Sequence, residues 1–438
     1  MNTLGLNYLK PITSCVEDFY LKIEVQGTVE PTQCPHCASS HLRKHGTSYQ
    51  RFMDTPAQGM PSILVMNRRR FMCAACGKTF AEPLPDIDER RSMTSRLVRF
   101  IEKECLKKTF ALVGREIAVD EKTIKNIFDD FRNTNLNGIV FETPRILGID
   151  ELKIIGDYRA MITNIEESSI YDLLPSRRKA DLLIYFDKMP NKDRIEVVTM
   201  DMWQPYKQVV QAKLPGRPIV IDRFHVVRMG NNVIDAVRKE ARNSLTSKQR
   251  LNLKDERFLL MSRANNLTDF HRERLNNWFQ KVPLLREAYL WKELFMQIYE
   301  RDCKEAALEI MDYLEVGIDQ RLHKHFSELL TAMRNWRPEI LAWYDFPISN
   351  AYTESVNRLA KDMNRMGRGY SFDVIRARLL LDNTARKPTT RIVRSHSKSS
   401  ELSYVTSATT NQATDERVIE YGPHIPTLCD LLESGHFD

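Results

Sequence analysis

The chain has 438 residues, with 65 lysines and arginines against 58 aspartates and glutamates and a formal net charge of +7. This length exceeds one ordinary domain, so we expect several units that each bury a core. The basic excess disfavours an acidic partner and favours a polyanion. The sequence lacks a run of about 20 apolar residues and the pattern of a signal peptide, which predicts an intracellular protein without a membrane partner.

Residues 1–84 carry a cysteine pattern that is typical of a metal site. Four of the eight cysteines form two C-x-x-C pairs, Cys34 with Cys37 and Cys73 with Cys76. Each pair can direct two thiolates to one tetrahedral ion, so the pattern predicts a zinc ribbon with structural Zn²⁺. The gap between the pairs is longer than usual, and a nearby histidine could replace one cysteine: His36, His41 or His45. The other cysteines are expected to be ordinary packed or exposed residues: Cys15, Cys105, Cys303 and Cys429.

Two strands are predicted around the first cysteine pair. The segment 17–26 alternates, with Phe19, Leu21, Ile23 and Val25 on one side, which indicates a half-buried strand. A second strand-like run covers residues 63–66. It leads into three consecutive arginines that we expect to contact nucleic-acid phosphates: Arg68, Arg69 and Arg70.

Residues 85–143 have the periodicity of a helix-turn-helix domain. The inward positions are predicted to be Leu112, Val113, Ile117, Ile124, Ile127 and Phe128. Asp120 or Glu121 would start the second helix. Its outer face would then present a set of polar residues to a major groove: Lys122, Thr123, Lys125 and Asn126. Such a pattern can also serve packing alone, but a neighbouring zinc ribbon and basic stripe favour DNA binding.

Residues 144–225 change to short apolar runs that end in acidic or amide residues, at Glu151, Asn164, Asp201 and Asp222. Helical stretches between the runs predict an α/β domain whose strands deliver carboxylates to one edge. Asp150, Asp201 and Asp222 are therefore candidate site residues. The alternative is that these aspartates merely cap the helices that follow them.

Residues 226–345 are predicted to form an all-helical insertion, and its tryptophans are expected to be core residues rather than base-stacking ones: Trp278, Trp291, Trp336 and Trp343. After Arg386 the chain is polar and basic, which predicts a mobile tail over residues 386–438.

Between these segments, residues 346–385 include a helix with two faces. The buried stripe is predicted to be Tyr352, Val356, Leu359 and Met363, and the polar face to be Asn350, Glu354, Asn357, Lys361 and Arg365. Glu354 could serve a metal ion while Asn357, Lys361 and Arg365 hold a DNA backbone. A solvated face is the alternative.

These motifs resemble the DDE transposases of bacterial insertion sequences, in the ISL3 group with an N-terminal zinc ribbon and helix-turn-helix. The resemblance spans about residues 30–385 and rests on G-I-D-E at 148–151, D-M-W-Q-P-Y-K at 201–207, I-D-R-F-H-V at 221–226 and S-N-A-Y-T-E-S-V-N-R-L-A-K at 349–361. It implies an RNase H-like domain in which Asp150, Asp201 and Glu354 hold two Mg²⁺ or Mn²⁺ ions.

Asp222 competes with Asp201 for the second position. Asp222 and His225 match an aspartate-x-x-histidine signature that related transposases carry downstream of the second catalytic aspartate. In an RNase H-like sheet the fourth strand lies beside the first, and we count residues 195–200 as the fourth. Asp201 is therefore assigned to the metal, and Asp222 and His225 are expected to support the site.

The expected fold is multidomain α+β: zinc ribbon, helix-turn-helix, and an RNase H-like domain interrupted by helices. The resemblance implies a transposase in the bacterial cytoplasm, associated with the nucleoid, that binds terminal inverted repeats and cleaves and joins double-stranded DNA. A homodimer or larger assembly is expected because both ends must be cut. Two alternatives remain: a DNA-binding regulator without catalysis, and a nuclease that only hydrolyses.

Overall fold

A computed structural model describes residues 5–136 and 141–382 of the chain. The predicted basic tail, residues 386–438, lies outside the described residues. None of the helices in the described ranges has the length and apolar character needed to cross a membrane.

The N-terminal part is a twisted sheet of short and long strands with its own small core. Its described strands are β1 (Leu9–Glu17), β2 (Tyr20–Gly27), β3 (Leu42–Ala57), β4 (Met60–Cys73), β5 (Thr79–Ala81), β6 (Ile87–Asp88) and β7 (Met93–Thr94). Their order is β1-β2-β4-β3-β7-β6, with β5 paired to β4. Ile23, Val25, Leu64 and Met66 are buried in this core, as alternation predicts.

The predicted strand over residues 17–26 is wrong at its start. Asp18 and Phe19 form the turn between β1 and β2, with positive φ angles of 49° and 66°. Phe19 is 89% exposed, so it is not an inward residue. The apolar alternation begins only at Leu21, where the chain pairs with both neighbouring strands.

Three helices follow: α1 (Ser95–Lys107), α2 (Phe110–Ile117) and α3 (Glu121–Leu136). The hydroxyls of Thr94 and Thr109 accept N–H groups at the starts of α1 and α2. The turn before α3 is tight, because a Cβ on Gly114 would lie 2.6 Å from the Val119 carbonyl oxygen. Five of the six predicted inward residues are buried, whereas Leu112 is 38% exposed.

The central sheet has the strand order that an RNase H-like fold predicts. Its strands are β8 (Ile146–Ile154), β9 (Asp157–Asn164), β10 (Ser169–Leu174), β11 (Val197–Met200) and β12 (Ile219–Ile221), in the order β10-β9-β8-β11-β12. The fourth strand, β11, pairs in parallel with β8, and β12 pairs in parallel with β11. The connecting helices are α4 (Lys179–Lys188) and α5 (Gln204–Lys213), with a 3₁₀ turn at Lys192–Arg194.

An all-helical insertion continues directly from β12, as predicted. Its helices are α6 (Arg223–Ala241), α7 (Ser247–Asp255), α8 (Arg257–Met261), α9 (Asp269–Lys281), α10 (Pro283–Met296), α11 (Lys304–Gly317), α12 (Gln320–Asn335) and α13 (Arg337–Leu341). Short 3₁₀ turns lie at Arg242–Ser244, Ala264–Asn266, Gln297–Tyr299 and Ala342–Tyr344. The four tryptophans of this region pack in or against one hydrophobic core, which confirms their predicted role.

Helices α14 (Ala351–Gly367) and α15 (Phe372–Leu381) return the chain to the central sheet. The close approach of α14 requires glycine at position 148, because a Cβ there would lie 2.4 Å from Thr163 Oγ1 and 2.8 Å from Asn350 Oδ1. The hydroxyls of Thr163 and Thr353 are hydrogen bonded at 2.6 Å across this contact. The sheet, α14 and α15 share a hydrophobic core with α1–α3.

The buried stripe of α14 differs from the predicted one. It consists of Thr353, Val356, Asn357, Ala360 and Met363. Leu359, predicted to be buried, is 36% exposed. Two small residues of this stripe, Thr353 and Ala360, are buried where α14 packs against β8 and β9.

Candidate active site and zinc site

The four paired cysteines converge at one point in the ribbon. Their sulfurs lie within 4.8 Å of one another, with Cys34 Sγ 3.7 Å from Cys76 Sγ and Cys37 Sγ 3.6 Å from Cys73 Sγ. A tetrahedron with Zn–S bonds of about 2.3 Å has edges of about 3.8 Å, so these spacings fit a zinc ion. The group that the described residues form consists of the four cysteines, without His36, His41 or His45.

The backbone of each cysteine pair supports metal binding. The N–H of Ala38 donates to the Cys34 carbonyl and the N–H of Gly77 to the Cys73 carbonyl, and both donor residues have positive φ. Hydrogen bonds from the backbone at Cys76, and also at Ala75, lower the pKa of Cys73 to about 6. At Cys37 a backbone hydrogen bond at Ser39 lowers the pKa, but hydrogen bonds with the Cys73 and Cys76 sulfurs outweigh it and raise the pKa to about 12. The thiolate is the form that binds metal, so the environment of Cys73 favours ligation.

A second group of titratable residues lies where β11 and β12 end, beside the middle of β8. Asp150 lies within β8, Asp201 follows β11, and Asp222 follows β12 and caps α6, which carries His225 in its first turn. Glu354 comes from the first turn of α14. The structure arranges them as two overlapping triplets, Asp150–Asp201–His225 and Asp222–His225–Glu354, each with ligand atoms within 4.8 Å.

His225 is the residue that the two triplets share. Its Nε2 lies 2.8 Å from Asp201 Oδ1 and 3.6 Å from Glu354 Oε1. Burial lowers the pKa of His225, but the adjacent Asp201 and Asp150 carboxylates outweigh this effect and raise its pKa overall. The ring therefore lies between carboxylates that come from distant parts of the chain.

Asp150 is held in place by two donors. It is 4% exposed, its Oδ1 accepts the Glu151 N–H at 2.7 Å, and its Oδ2 accepts Asn357 Nδ2 at 2.7 Å. Burial, followed by the charge of Asp201, raises the pKa of Asp150 to about 8. A buried carboxylate with like charges around it is the arrangement that a bound cation stabilises.

Asp222 and Glu354 have the same electrostatic character. Burial raises the pKa of both groups, and for Glu354 the charge of Asp222 is the next cause. Asp222 Oδ1 accepts the backbone N–H of Asn350 at 3.3 Å, which ties the end of β12 to the start of α14. Among the described residues, Asp222 Oδ2 is buried without a hydrogen-bond partner.

The carboxylates open into a cleft of about 290 Å³. Four exposed cationic residues line it: Lys153, Arg228, Arg358 and Lys361. Carboxylates at the base of a basic cleft suit a phosphate-containing substrate that is bound together with metal ions.

Comparison with known families gives three matches along the chain. The ISL3 family profile described as "Transposase" matches residues 147–379, which is more than half of the chain. The chain belongs to the ISL3 transposase family. A zinc-finger profile of the transposases of IS204, IS1001, IS1096 and IS1165 matches residues 30–76, and the ISL3 helix-turn-helix profile matches residues 82–132.

Curated relatives of this transposase are named for insertion sequences. The transposase for the element IS1001 of Bordetella parapertussis is 23% identical over 357 residues, covering 80% of this chain and 88% of the relative. The transposase for the element IS1557 of Mycobacterium tuberculosis is 23% identical over 278 residues, covering 57% of this chain and 62% of the relative. The family identifies the chain as a DNA-cleaving and DNA-binding enzyme with a structural zinc site.

Two of the three ribbon arginines that were predicted to contact DNA bind groups within the protein instead. Arg68 is 6% exposed and donates to the Glu82 carbonyl and to Glu89. Arg69 forms ion pairs with Glu82 and Glu30. Arg70 is exposed. The triple arginine thus stabilises the sheet with two side chains, while the exposed Arg70 contacts Thr79 Oγ1 at 3.5 Å.

Asn357 was predicted to hold DNA, and the structure gives it another position. It is 4% exposed, and its amide donates to Asp150 Oδ2 and, at 3.3 Å, to the Glu151 carbonyl. Asn357 belongs to the polar row that was predicted, but its side chain is buried against strand β8, because α14 packs against the sheet. Lys361 remains exposed at the cleft, whereas Arg365 pairs with Asp362 and is not among the residues lining it.

Helix α3 presents the face that was predicted for a DNA groove. Lys122, Lys125 and Asn126 are exposed and Thr123 is partly buried. Asp120 Oδ1 accepts the Thr123 N–H at 2.9 Å, which caps the helix. Lys125 is also paired with Asp129 at 2.5 Å on the same helix.

The sequence did not predict the contacts of three residues near the carboxylates. Asn350 Nδ2 donates to the Ile149 carbonyl at 3.3 Å and so fixes the start of α14 to β8. Glu151 forms an ion pair with Arg177. Arg228 lines the cleft from the helix that carries His225. Two signals were available in the sequence. Asn350 lies within the recognised segment 349–361, and Arg228 lies three residues after His225.

Proposed function

We propose that this ISL3 transposase cuts the ends of an insertion sequence and joins them to target DNA, using divalent cations held by Asp150, Asp201 and Glu354. The observation that carries the proposal is that Asp150, Asp201 and Glu354 line one basic cleft, in which His225 lies against both Asp201 and Glu354. Cleavage and joining are both phosphoryl transfers, so one site can perform them in turn.

The residues present fit Mg²⁺ or Mn²⁺. Carboxylate oxygens are the donors that these hard cations prefer. The raised pKa values of Asp150, Asp222 and Glu354, together with the unpartnered Asp222 Oδ2, indicate a site in which negative charge is not balanced by protein groups alone. Divalent cations bound there would neutralise phosphate charge and activate the attacking water or 3′-hydroxyl.

The residues of the chain orient the site and bind the substrate. Asn357 and the Glu151 N–H fix the Asp150 carboxylate, and His225 lies against Asp201 and Glu354. Asp222 anchors α14 through the Asn350 N–H. Exposed Lys153, Arg228 and Lys361 would contact the phosphates that flank the scissile one.

The N-terminal units would recognise the DNA ends. We assign residues 1–84 to the zinc ribbon, 85–143 to the helix-turn-helix, 144–225 and 346–385 to the two parts of the catalytic domain, and 226–345 to the insertion. The exposed face of α3 would bind the inverted repeat in a major groove, with Arg70 of the ribbon on a phosphate. Because an element has two ends, the working assembly would be a homodimer or larger.

A joining assay tests this function. The purified protein is incubated with labelled element ends, a target plasmid and Mg²⁺, in parallel with Glu354→Gln. We expect joined products with the wild type, and a fall of at least about 100-fold with the variant while binding to the ends is retained. Nicks without joining would overturn the proposal in favour of a nuclease, and binding without either product in favour of a regulator.

A metal titration distinguishes the two candidate aspartates. Mn²⁺ is titrated into Asp201→Asn and Asp222→Asn, with Asp187→Asn as a surface control whose acid pairs with Lys213. We expect Asp201→Asn to abolish tight Mn²⁺ binding and Asp222→Asn to weaken it less, because Asp222 is also engaged in capping α6 and binding Asn350. If only Asp222→Asn abolished binding, the assignment would be reversed.

A further inference from the structure

A second cleft, which we call the Arg177 cleft, lies beside the catalytic one. It has a volume of about 660 Å³, and Tyr158 lines both clefts. The residues that carry the argument are Tyr158, Arg177, Arg178, Lys179 and Trp203. Arg177, Arg178 and Lys179 are consecutive and precede or begin α4, so three cationic groups reach one wall.

The lining of this cleft has four cationic residues and two acids, so its net charge is positive. Arg178 and Lys179 are exposed, while Asp157 and Asp181 are the acids on its lining. A fourth cation, Arg159, is directed elsewhere: it donates to the Pro175 carbonyl, pairs with Asp157 and lies over the Phe372 ring. The cleft therefore offers Arg178 and Lys179 to an anion, with Asp181 as the nearby acid, while Lys179 also donates to Gln208 Oε1 at 2.7 Å.

Arg177 is held at the boundary with the catalytic cleft. Its guanidinium carbon lies 3.9 Å from the centre of the Tyr158 ring and 4.3 Å from that of Trp203. It also pairs with Glu151, the residue that follows Asp150. These contacts orient the Arg177 guanidinium at the point where a DNA strand would pass from the carboxylates into the Arg177 cleft.

We propose that the Arg177 cleft binds a single-stranded DNA segment that adjoins the scissile phosphate. The phosphates would contact Arg178 and Lys179, with Arg177 at the boundary. One unpaired base would pack against Tyr158, which is 43% exposed and has the Arg177 guanidinium over its ring. A basic groove with aromatic rings is the arrangement that binds unpaired strands. Its volume is that of a small-molecule pocket, which accommodates a few nucleotides.

This inference rests on the proposed function, since it requires DNA in the catalytic cleft. It is tested by fluorescence anisotropy without Mg²⁺, with a blunt duplex element end and with the same duplex carrying a short single-stranded extension at the cut site. The variants are Tyr158→Leu and the double variant Arg178→Ala/Lys179→Ala. The matched control, Lys188→Ala/Lys192→Ala, removes the same charge from beyond the cleft, at the other end of α4 and in the following turn.

We expect the wild type and the control to bind the extended end about ten-fold more tightly than the blunt end, and both cleft variants to lose this preference. Equal affinity of the wild type for the two ends, or an equal loss for both ends in the variants, would overturn the inference. The joining assay distinguishes a failure of this inference from a failure of the proposed function. If joining succeeds but the preference is absent, the inference alone fails; if the wild type yields no cleavage, the proposed function fails.

Discussion

The zinc site and the carboxylate site of this transposase are assembled over very different lengths of chain. The four cysteines lie between positions 34 and 76, at the open end of the long β3–β4 hairpin, where Leu42 pairs with Cys73. The carboxylate site joins residues as far apart as Asp150 and Asn357, separated by 207 positions. The first depends on local turns, and the second depends on sheet order and on the return of the chain after the insertion.

The two sites also differ in the core that supports them. The ribbon buries a small group of residues of its own, including Leu9, Phe52 and Leu64. The carboxylates lie on a sheet that packs against the insertion on one side and against α14, α15 and α1–α3 on the other. Disruption of the zinc site should therefore affect the ribbon alone, and disruption of the packing around the carboxylates should reduce catalysis.

The largest effect is expected from removing a zinc ligand. Cys76→Ser should release the zinc and unfold the ribbon, because structural zinc binding contributes on the order of 10 kcal/mol to folding. Zinc content and binding to the element ends should both be lost, while a thermal transition of the catalytic core remains. Cys15→Ser, at an exposed cysteine, is the control. Loss of the core transition as well would contradict the separation of the two regions.

An intermediate effect is expected at the contact between β8 and α14. Gly148→Ala adds a Cβ within 2.4–2.8 Å of Thr163, Ile165 and Asn350, so about 1–3 kcal/mol of stability should be lost and Glu354 displaced. Melting and DNA cleavage are measured together. Ile154→Val, in the last position of the same strand, should cost about 1 kcal/mol without reducing cleavage. Cleavage by Gly148→Ala at the wild-type rate would show that the close contact does not position the site.

The smallest effect is expected from the hydrogen bond to Asp150. Asn357→Ala removes a donor to a buried carboxylate, which we expect to lower the cleavage rate at saturating DNA by about ten-fold. Affinity for DNA should be unchanged, as in the control Ser355→Ala on the exposed side of α14. If Asn357→Ala instead weakened DNA binding and left the saturated rate intact, the original sequence-based role would be restored.

Several features of the fold follow from the sequence because they depend on short spacings. The two C-x-x-C pairs indicate the zinc ribbon, and apolar runs that end in Asp201 and Asp222 indicate parallel strands with an acidic edge. The order of strands required the family resemblance, since periodicity does not say which strands are neighbours. Strand β3 was not predicted, because its first half is polar and is held by pairing with β4 rather than by burial.

The errors concern which partner a residue faces. Phe19 has the alternation of a strand residue but occupies a turn, and Leu359 has helical spacing but lies at the edge of the packed face of α14. Arg68 and Asn357 are polar residues that suggested DNA contacts, yet both satisfy groups inside the protein. Helical or strand period gives the side of an element on which a residue lies, and only tertiary packing decides what covers that side.

The helix-turn-helix is hydrogen bonded to the catalytic domain. The Phe110 N–H donates to the Tyr370 hydroxyl, and Arg378 donates to the Leu106 carbonyl, so α15 and its preceding turn are bonded to α1 and α2. A DNA end held by α3 would therefore meet the carboxylates at a fixed offset in base pairs. The protein would therefore measure a fixed length of duplex. Base pairs inserted between the segment bound by α3 and the cut site would move the cut site away from the carboxylates.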